Sequence, residues 1–139
     1  MNFISQSDVE TKKLGEKYGS ALKGGEVFLL IGDLGGGKTH FTKGLATGLG
    51  VAEPVTSPTF NFENIYQGKK LSLYHFDLYR NGEVDEDIGF LIKEAISDKD
   101  GVVVIEWAER ARSYWPSRYT LIKFNWISDQ ERMISVIKK

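Results

Sequence analysis

Apolar positions along the chain fall into short blocks with two different rhythms. Ser7-Asp8-Val9-Glu10 has the form of a capping box, in which the Ser7 hydroxyl and the Glu10 carboxylate satisfy N–H groups that the first helical turn leaves without partners. It predicts a helix to about residue 23 with Val9, Leu14, Tyr18 and Leu22 inward, ended by Gly24-Gly25. Residues 26–31 (Glu-Val-Phe-Leu-Leu-Ile) are then apolar without alternation, which is the signature of a strand buried on both faces in a parallel sheet. A glycine-rich stretch over 32–37 separates this strand from a second predicted helix, residues 38 to about 49.

Further along, residues 60–66 and 71–78 read as strands joined by Gln67-Gly68-Lys69-Lys70, a β-hairpin. Residues 83–96 carry the helical period, with Ile88, Leu91, Ile92, Ala95 and Ile96 inward and an acidic start that suits the helix dipole. Val102-Val103-Val104-Ile105 is a second continuous apolar strand ending at Glu106, and a short helix over 108–114 stops before Pro116. Residues 119–127 and 133–137 predict a second hairpin around Ser128-Asp129-Gln130. These elements predict one α/β domain over residues 1–139, a mixed sheet with parallel strands at its centre and antiparallel hairpins at its edges.

Composition narrows the classes of function. The 139 residues are 41% hydrophobic and 27% charged, which excludes a disordered or fibrous chain. Lys and Arg number 18 against 19 Asp and Glu, a formal charge of −1, and the two halves barely differ. That disfavours a protein that grips nucleic acid through a broad basic face of its own. Cysteine is absent, excluding a disulfide scaffold, a thiolate metal site and a cysteine nucleophile. No basic-then-apolar leader opens the sequence and no apolar run approaches a membrane span, so a cytoplasmic protein without membrane attachment is expected.

Glycine is the one biased residue: eleven of the 15 precede residue 51. Four of them lie in Gly32-Asp33-Leu34-Gly35-Gly36-Gly37-Lys38-Thr39, which satisfies G-x-x-x-x-G-K-[ST] in full. A random chain of this length and glycine content matches about 1% of the time, and here the motif also follows a buried strand and opens a helix. A loop of this kind turns its N–H groups inward over a helix N-terminus, so Leu34, Gly35, Gly36, Gly37, Lys38 and Thr39 are candidate phosphate-binding residues. Lys38 supplies positive charge, and the Thr39 hydroxyl is placed to ligate Mg²⁺. A P-loop NTPase-like three-layer fold is therefore expected, with a nucleotide and Mg²⁺ bound; ATP as that nucleotide is what the resemblance given below implies. His40 offers its backbone N–H to the α-phosphate, with a packing or solvated side chain as the alternative.

A P-loop needs a second-strand carboxylate for the metal or its water. Glu106 ends the 102–105 strand at the sheet edge where the loop lies, and its extra methylene beyond the usual Asp lets it orient a water instead. Trp107, next in sequence, is read either as core or as a lid over the nucleotide. On the strand His75-Phe76-Asp77-Leu78-Tyr79, alternation puts His75, Asp77 and Tyr79 on one face. Asp77 then either faces water or serves the phosphate cleft as metal-shell ligand or base. Residues 56–59 are either a switch-like loop with a γ-phosphate-sensing hydroxyl or a simple proline turn. The acidic run Glu83, Asp85, Glu86, Asp87 is a solvated helix start or a docking patch.

Taken together, the P-loop, Ser57-Pro58-Thr59-Phe60, Tyr74-His75-Phe76-Asp77-Leu78-Tyr79-Arg80 and Val104-Ile105-Glu106-Trp107-Ala108-Glu109-Arg110 resemble the bacterial TsaE (YjeE) family, in family order and over roughly residues 8 to 110. The resemblance implies an ATPase of tRNA threonylcarbamoyladenosine synthesis that hydrolyses ATP to ADP and phosphate. It implies that Thr39 and Glu106 hold Mg²⁺, that Lys38, Asp77 and Glu106 serve turnover, that Trp107 lies near the nucleotide, and that Asp8 approaches the adenine. It also implies protein partners, the TsaB–TsaD pair, with tRNA reached indirectly through them. His40 departs from the family's usual Thr, and the C-terminal hairpin does not align.

Two other classes compete. A small-molecule P-loop kinase needs an acceptor pocket and an arginine-bearing lid; Arg110, Arg112, Arg118 and Arg132 are available, but the chain is short for a lid domain. A GTPase needs N/T-K-x-D to read guanine, and that motif is missing. The mechanism expected is in-line attack of water on the γ-phosphate, with a low rate in the lone chain because no arginine finger lies near a motif.

Overall fold

The two continuous apolar runs become the innermost strands of a sheet covered on both faces. The structure, a computed structural model, describes residues 1–33, 37–58, 62–79 and 84–139. Its elements are β1 (Asn2–Ser5), α1 (Asp8–Ser20), β2 (Val27–Gly32), α2 (Lys38–Gly48), β3 (Glu63–Gln67), β4 (Ser72–Asp77), α3 (Glu86–Ile96), β5 (Gly101–Glu106), a 3₁₀ helix (Ala108–Tyr114), β6 (Thr120–Trp126) and β7 (Arg132–Lys138). The seven strands form one sheet in the order β1-β7-β6-β2-β5-β4-β3. The contacts β6–β2, β2–β5 and β5–β4 are parallel, and β1–β7, β7–β6 and β3–β4 are antiparallel. The mixed sheet with a parallel centre and antiparallel margins is as the sequence predicts.

Strand alternation sorts the core into two layers. Phe28 and Leu30 of β2 and Val102 and Val104 of β5 pack with Leu45 and Phe41 of α2 on one face. Val27, Leu29, Val103 and Ile105 pack on the other face with Ile88 and Ile92 of α3 and Ala108 of the 3₁₀ helix. The chain therefore builds helix, sheet and helix layers. β2 lies between β5 and β6, so the segment leaving its carboxyl end emerges where the chain's connections diverge to either side, the usual position of a ligand cleft in such sheets.

Three sequence expectations are corrected. Residues 2–5 form an edge strand on β7 that was not predicted. The first helix ends at Ser20 rather than near Lys23, and Val9 is exposed instead of inward. The buried stripe of α1 is Thr11, Leu14, Gly15 and Gly19, because α1 rests on α2 through glycines: a Cβ on Gly15 would stand 2.2 Å from the Phe41 carbonyl oxygen, and one on Gly44 1.9 Å from that of Lys12. The third correction is to the strand predicted over 60–66, which is observed as Glu63–Gln67; Phe60 lies outside the described residues.

Candidate functional site

Among the described residues, no side chain caps the start of α2. Gly37 is the N-cap, in the left-handed region at φ 103, with no side-chain cap and no acidic residue in the first turn. Gly32, at the other end of the glycine-rich segment, has φ 149, and a Cβ there would be 2.5 Å from the Phe124 carbonyl oxygen on β6. Both ends of the segment therefore exclude a side chain, one through backbone conformation and the other through close approach. Lys38 folds back so that Nζ donates to the carbonyls of Gly32 at 2.6 Å and Asp33 at 2.8 Å. Burial lowers the Lys38 ammonium pKa, opposed by the nearby carboxylates of Glu106, Glu109, Asp77 and Asp33. Leu34, Gly35 and Gly36 of the motif lie outside the described residues.

Glu106 closes β5 in register with Asp77 of the neighbouring parallel strand β4. Its parity with Val102 and Val104 points it into the α2 face, where it is 2% exposed. The carboxylate is met from two elements. Thr39 Oγ1 donates to Oε1 at 3.1 Å; Thr42 Oγ1 reaches Oε2 at 3.3 Å and also bonds the Lys38 carbonyl at 3.0 Å. From β4, His75 Nε2 lies 2.5 Å from Oε2, and its imidazole is fully buried. Sequence reasoning passed over His75 and Thr42. The signals were present: His75 is two residues from Asp77 on one strand face, and Thr42 is one helical turn from Thr39.

Asp77 is partly buried at the same sheet edge, and its Oδ1 accepts the Tyr79 N–H at 3.0 Å. Burial, and then the Glu106 charge, raise its pKa above the usual carboxylate range. Trp107 follows Glu106 in the left-handed region at φ 59, a conformation that costs a bulky residue of order 1–3 kcal/mol. Its ring holds Lys38 Nζ over its face at 4.3 Å and Arg110 Cζ at 5.2 Å, and its centroid is 5.2 Å from that of Tyr79. Trp107 thus does both of the things the sequence left open: it packs, partly buried, against the α3-side core and roofs the lysine.

Asp8 and His40 come together through α1–α2 packing, with His40 Nε2 3.4 Å from Asp8 Oδ2, both side chains well exposed. The Thr56 backbone is tied to β3, its N–H donating to the Tyr66 hydroxyl and its carbonyl accepting from Asn64 Nδ2, both at 3.2 Å. Thr59 and Arg80 of the sequence motifs, like Glu83 of the acidic run, lie outside the described residues. Asp85 caps α3 through the Ile88 N–H at 2.9 Å. Among the described residues no helix is long and apolar enough to cross a membrane.

A three-layer mixed sheet, a G-x-x-x-x-G-K-T segment between inner strand and helix, and carboxylates ending the two adjacent strands define a P-loop NTPase-like α/β protein. The family described as "Threonylcarbamoyl adenosine biosynthesis protein TsaE" matches residues 5–134. Among relatives, the tRNA threonylcarbamoyladenosine biosynthesis protein TsaE of Treponema pallidum is 40% identical over 136 residues, covering 98% of this chain and 99% of the relative. That of Bacillus subtilis is 39% identical over 126 residues, 91% of this chain and 78% of the relative. The crystal structure of Bacillus subtilis YdiB superposes with a TM-score of 0.76 at 32% identity, covering 98% of this chain and 83% of that one. The chain belongs to the TsaE family of tRNA threonylcarbamoyladenosine biosynthesis proteins.

Proposed function

We propose that the chain is a Mg²⁺-dependent ATPase that hydrolyses ATP to ADP and phosphate and supports tRNA threonylcarbamoyladenosine formation in the cytoplasm by acting with a TsaB–TsaD pair. The observation that carries this reading is the Thr39–Glu106 hydrogen bond at the uncapped start of α2, with Lys38 and Asp77 alongside. The donor set fits the ion. Among the described residues no cluster of three or more His, Cys, Asp or Glu forms a ready-made metal cage. Thr39 and Glu106 offer two oxygens, which suits Mg²⁺, a cation that keeps waters and phosphate oxygens as its other ligands. When bound, the ion would neutralise charge on the terminal phosphates.

The chain's own groups supply the rest. The N–H groups of the first turn of α2 and the Lys38 ammonium hold the phosphate tail and stabilise the charge that develops as the bond to the ADP oxygen breaks. Glu106, through Oε1, would help to hold the ion or one of its waters. Asp77 orients the attacking water and accepts its proton, a task helped by a carboxyl more basic than one in solvent. Trp107 shields Lys38 from bulk water and strengthens its charge in the site.

The test is calorimetry and phosphate release with the purified chain, alone and with TsaB–TsaD. Mg-ATP binds the wild type, Lys38→Ala loses detectable affinity, and Glu106→Ala keeps more binding than turnover. Absence of Mg-ATP binding to the wild type overturns the proposal, and so does phosphorylation of an added nucleoside or sugar in preference to hydrolysis.

A further inference from the structure

His75 is fully buried, and among the described residues its second ring nitrogen, Nδ1, has no hydrogen-bond partner. Leaving a buried nitrogen without a partner is destabilising, so space-filling alone does not account for an imidazole where leucine would leave nothing unpaired. What the imidazole does is at its other end. Each oxygen of an ionised carboxylate has two acceptor directions. Among the described residues, Glu106 Oε2 is met from the interior by His75 Nε2 and by Thr42 Oγ1, whose single proton is shared between Oε2 and the Lys38 carbonyl, whereas Oε1 accepts from Thr39 alone. Among the described residues, one lone pair of Oε1 is therefore left open on the Thr39 side. Without the β4 donor the terminal torsion of Glu106 is broad and soft, and the Asp77 carboxylate, in register beside it, repels it.

We propose that His75 is a positioning residue, which through Nε2 locks the Glu106 carboxylate so that Oε1 alone is presented beside Thr39. The proposal rests on the ATPase reading above. It acts through Glu106, as partners of ligating carboxylates commonly do, and the loss expected on its removal is about 10–100-fold in turnover.

Two measurements test it. The first uses the chain without nucleotide, labelled with ¹⁵N-histidine; it has two histidines, His40 and His75. The His75 ring shows one slowly exchanging Nε2–H with a downfield proton, which shifts upfield in Glu106→Gln. A rapidly exchanging ring, or a resonance indifferent to Glu106→Gln, overturns the proposal whether or not the chain hydrolyses ATP. The second compares His75→Leu with His75→Gln, whose amide nitrogen reaches the place of Nε2. His75→Leu loses turnover with Mg-ATP affinity within about twofold of wild type, and His75→Gln recovers most of it. Unchanged turnover in His75→Leu, or a loss that follows the melting temperature of the two variants, overturns it. Should His75→Leu not fold, the histidine spectrum and His75→Gln decide. A wild type that neither binds nor hydrolyses ATP defeats the functional reading, and the spectrum still judges the positioning role.

Discussion

Gly44→Ala isolates the contact on which the lysine- and threonine-bearing helix is seated. Residue 44 is mid-helix in α2, and its backbone is ordinary helix, so the new methyl meets no conformational penalty. It does meet α1. The Cβ would stand 1.9 Å from the Lys12 carbonyl oxygen and 3.0 Å from the Glu16 nitrogen. Carbon–oxygen contacts between close helices settle at about 3.3–3.6 Å, so α1 must withdraw by about 1.4 Å. The obstructing atom is backbone and cannot rotate aside.

Two effects then compete. Alanine gains about 0.8–1 kcal/mol over glycine in helix propensity, while overpacking of this kind costs about 1–3 kcal/mol. The neighbouring approaches of Gly15, Gly19 and Gly48 to opposing backbone, all 2.4 Å or less from an imagined Cβ, mean that the displacement is shared along the whole interface, which places the cost at the upper end. A net loss of about 1–2 kcal/mol lowers the melting temperature by roughly 3–7 °C for a chain of this size. Scanning calorimetry measures it, and Gly25→Ala is the control. That glycine has φ 89 with nothing within 4 Å of a Cβ, so it reports backbone strain of about 1–2 kcal/mol without touching α1. Hydrogen exchange in α1 accelerates in Gly44→Ala and not in Gly25→Ala. A Gly44→Ala protein that melts at or above wild type, with α1 protection intact, refutes the argument, because propensity would then have outweighed the contact.

The Asp77 carboxyl is raised in the folded state, so its ionised form opposes folding at neutral pH, and the wild type gains stability as pH falls through the folded pKa toward the ordinary carboxylate value. Asp77→Asn, which keeps the acceptor for the Tyr79 N–H, therefore melts above wild type at pH 7, with the gap closing on acidification and turnover lost; a variant that melts lower at pH 7 contradicts this. Trp107 sits over Lys38, so Mg-ATP titration changes tryptophan emission in the wild type and not in Trp107→Phe. An unaltered response in Trp107→Phe assigns the signal to the chain's other two tryptophans instead.

Legibility in the sequence followed the range of the interaction. The P-loop and the two innermost strands were readable because spacing and apolar continuity are local. The edge strand over 2–5 was not: four residues carry little alternation, and their partner is β7, at the opposite end of the chain. Val9 was misplaced for a related reason. Hydrophobic periodicity looks for large apolar residues, whereas α1 buries a face containing Thr11, Gly15 and Gly19, whose small size permits a close helix contact. In the site, the positions of Lys38, Thr39 and Glu106 could be inferred from motif and strand end. The pairing of Asp8 with His40 depends on how α1 crosses α2. The Glu106–His75 contact depends on the register of β4 against β5. Each requires tertiary knowledge that no window of sequence holds.

The charge pattern around Lys38 carries an argument about what the site accepts. Four carboxylates, Glu106, Glu109, Asp77 and Asp33, bear on one ammonium that is itself partly desolvated. A triphosphate tail entering alone would add further negative charge to that neighbourhood, and the N–H groups of one helix turn, with their fractional charge, do not offset it. A polyphosphate arriving with a divalent cation reverses the balance, because Glu106 and Asp77 then face positive charge instead of phosphate oxygens. The same pairing explains why a carboxylate as buried as Glu106 is tolerated at a strand end: His75, Thr39 and the shared proton of Thr42 offset part of its desolvation, and among the described residues Oε1 keeps a lone pair that a cation would take. On this reasoning the proposed dependence on Mg²⁺ belongs to the binding step as well as to turnover, since the acidic half of the site would repel the nucleotide that its basic half is proposed to attract.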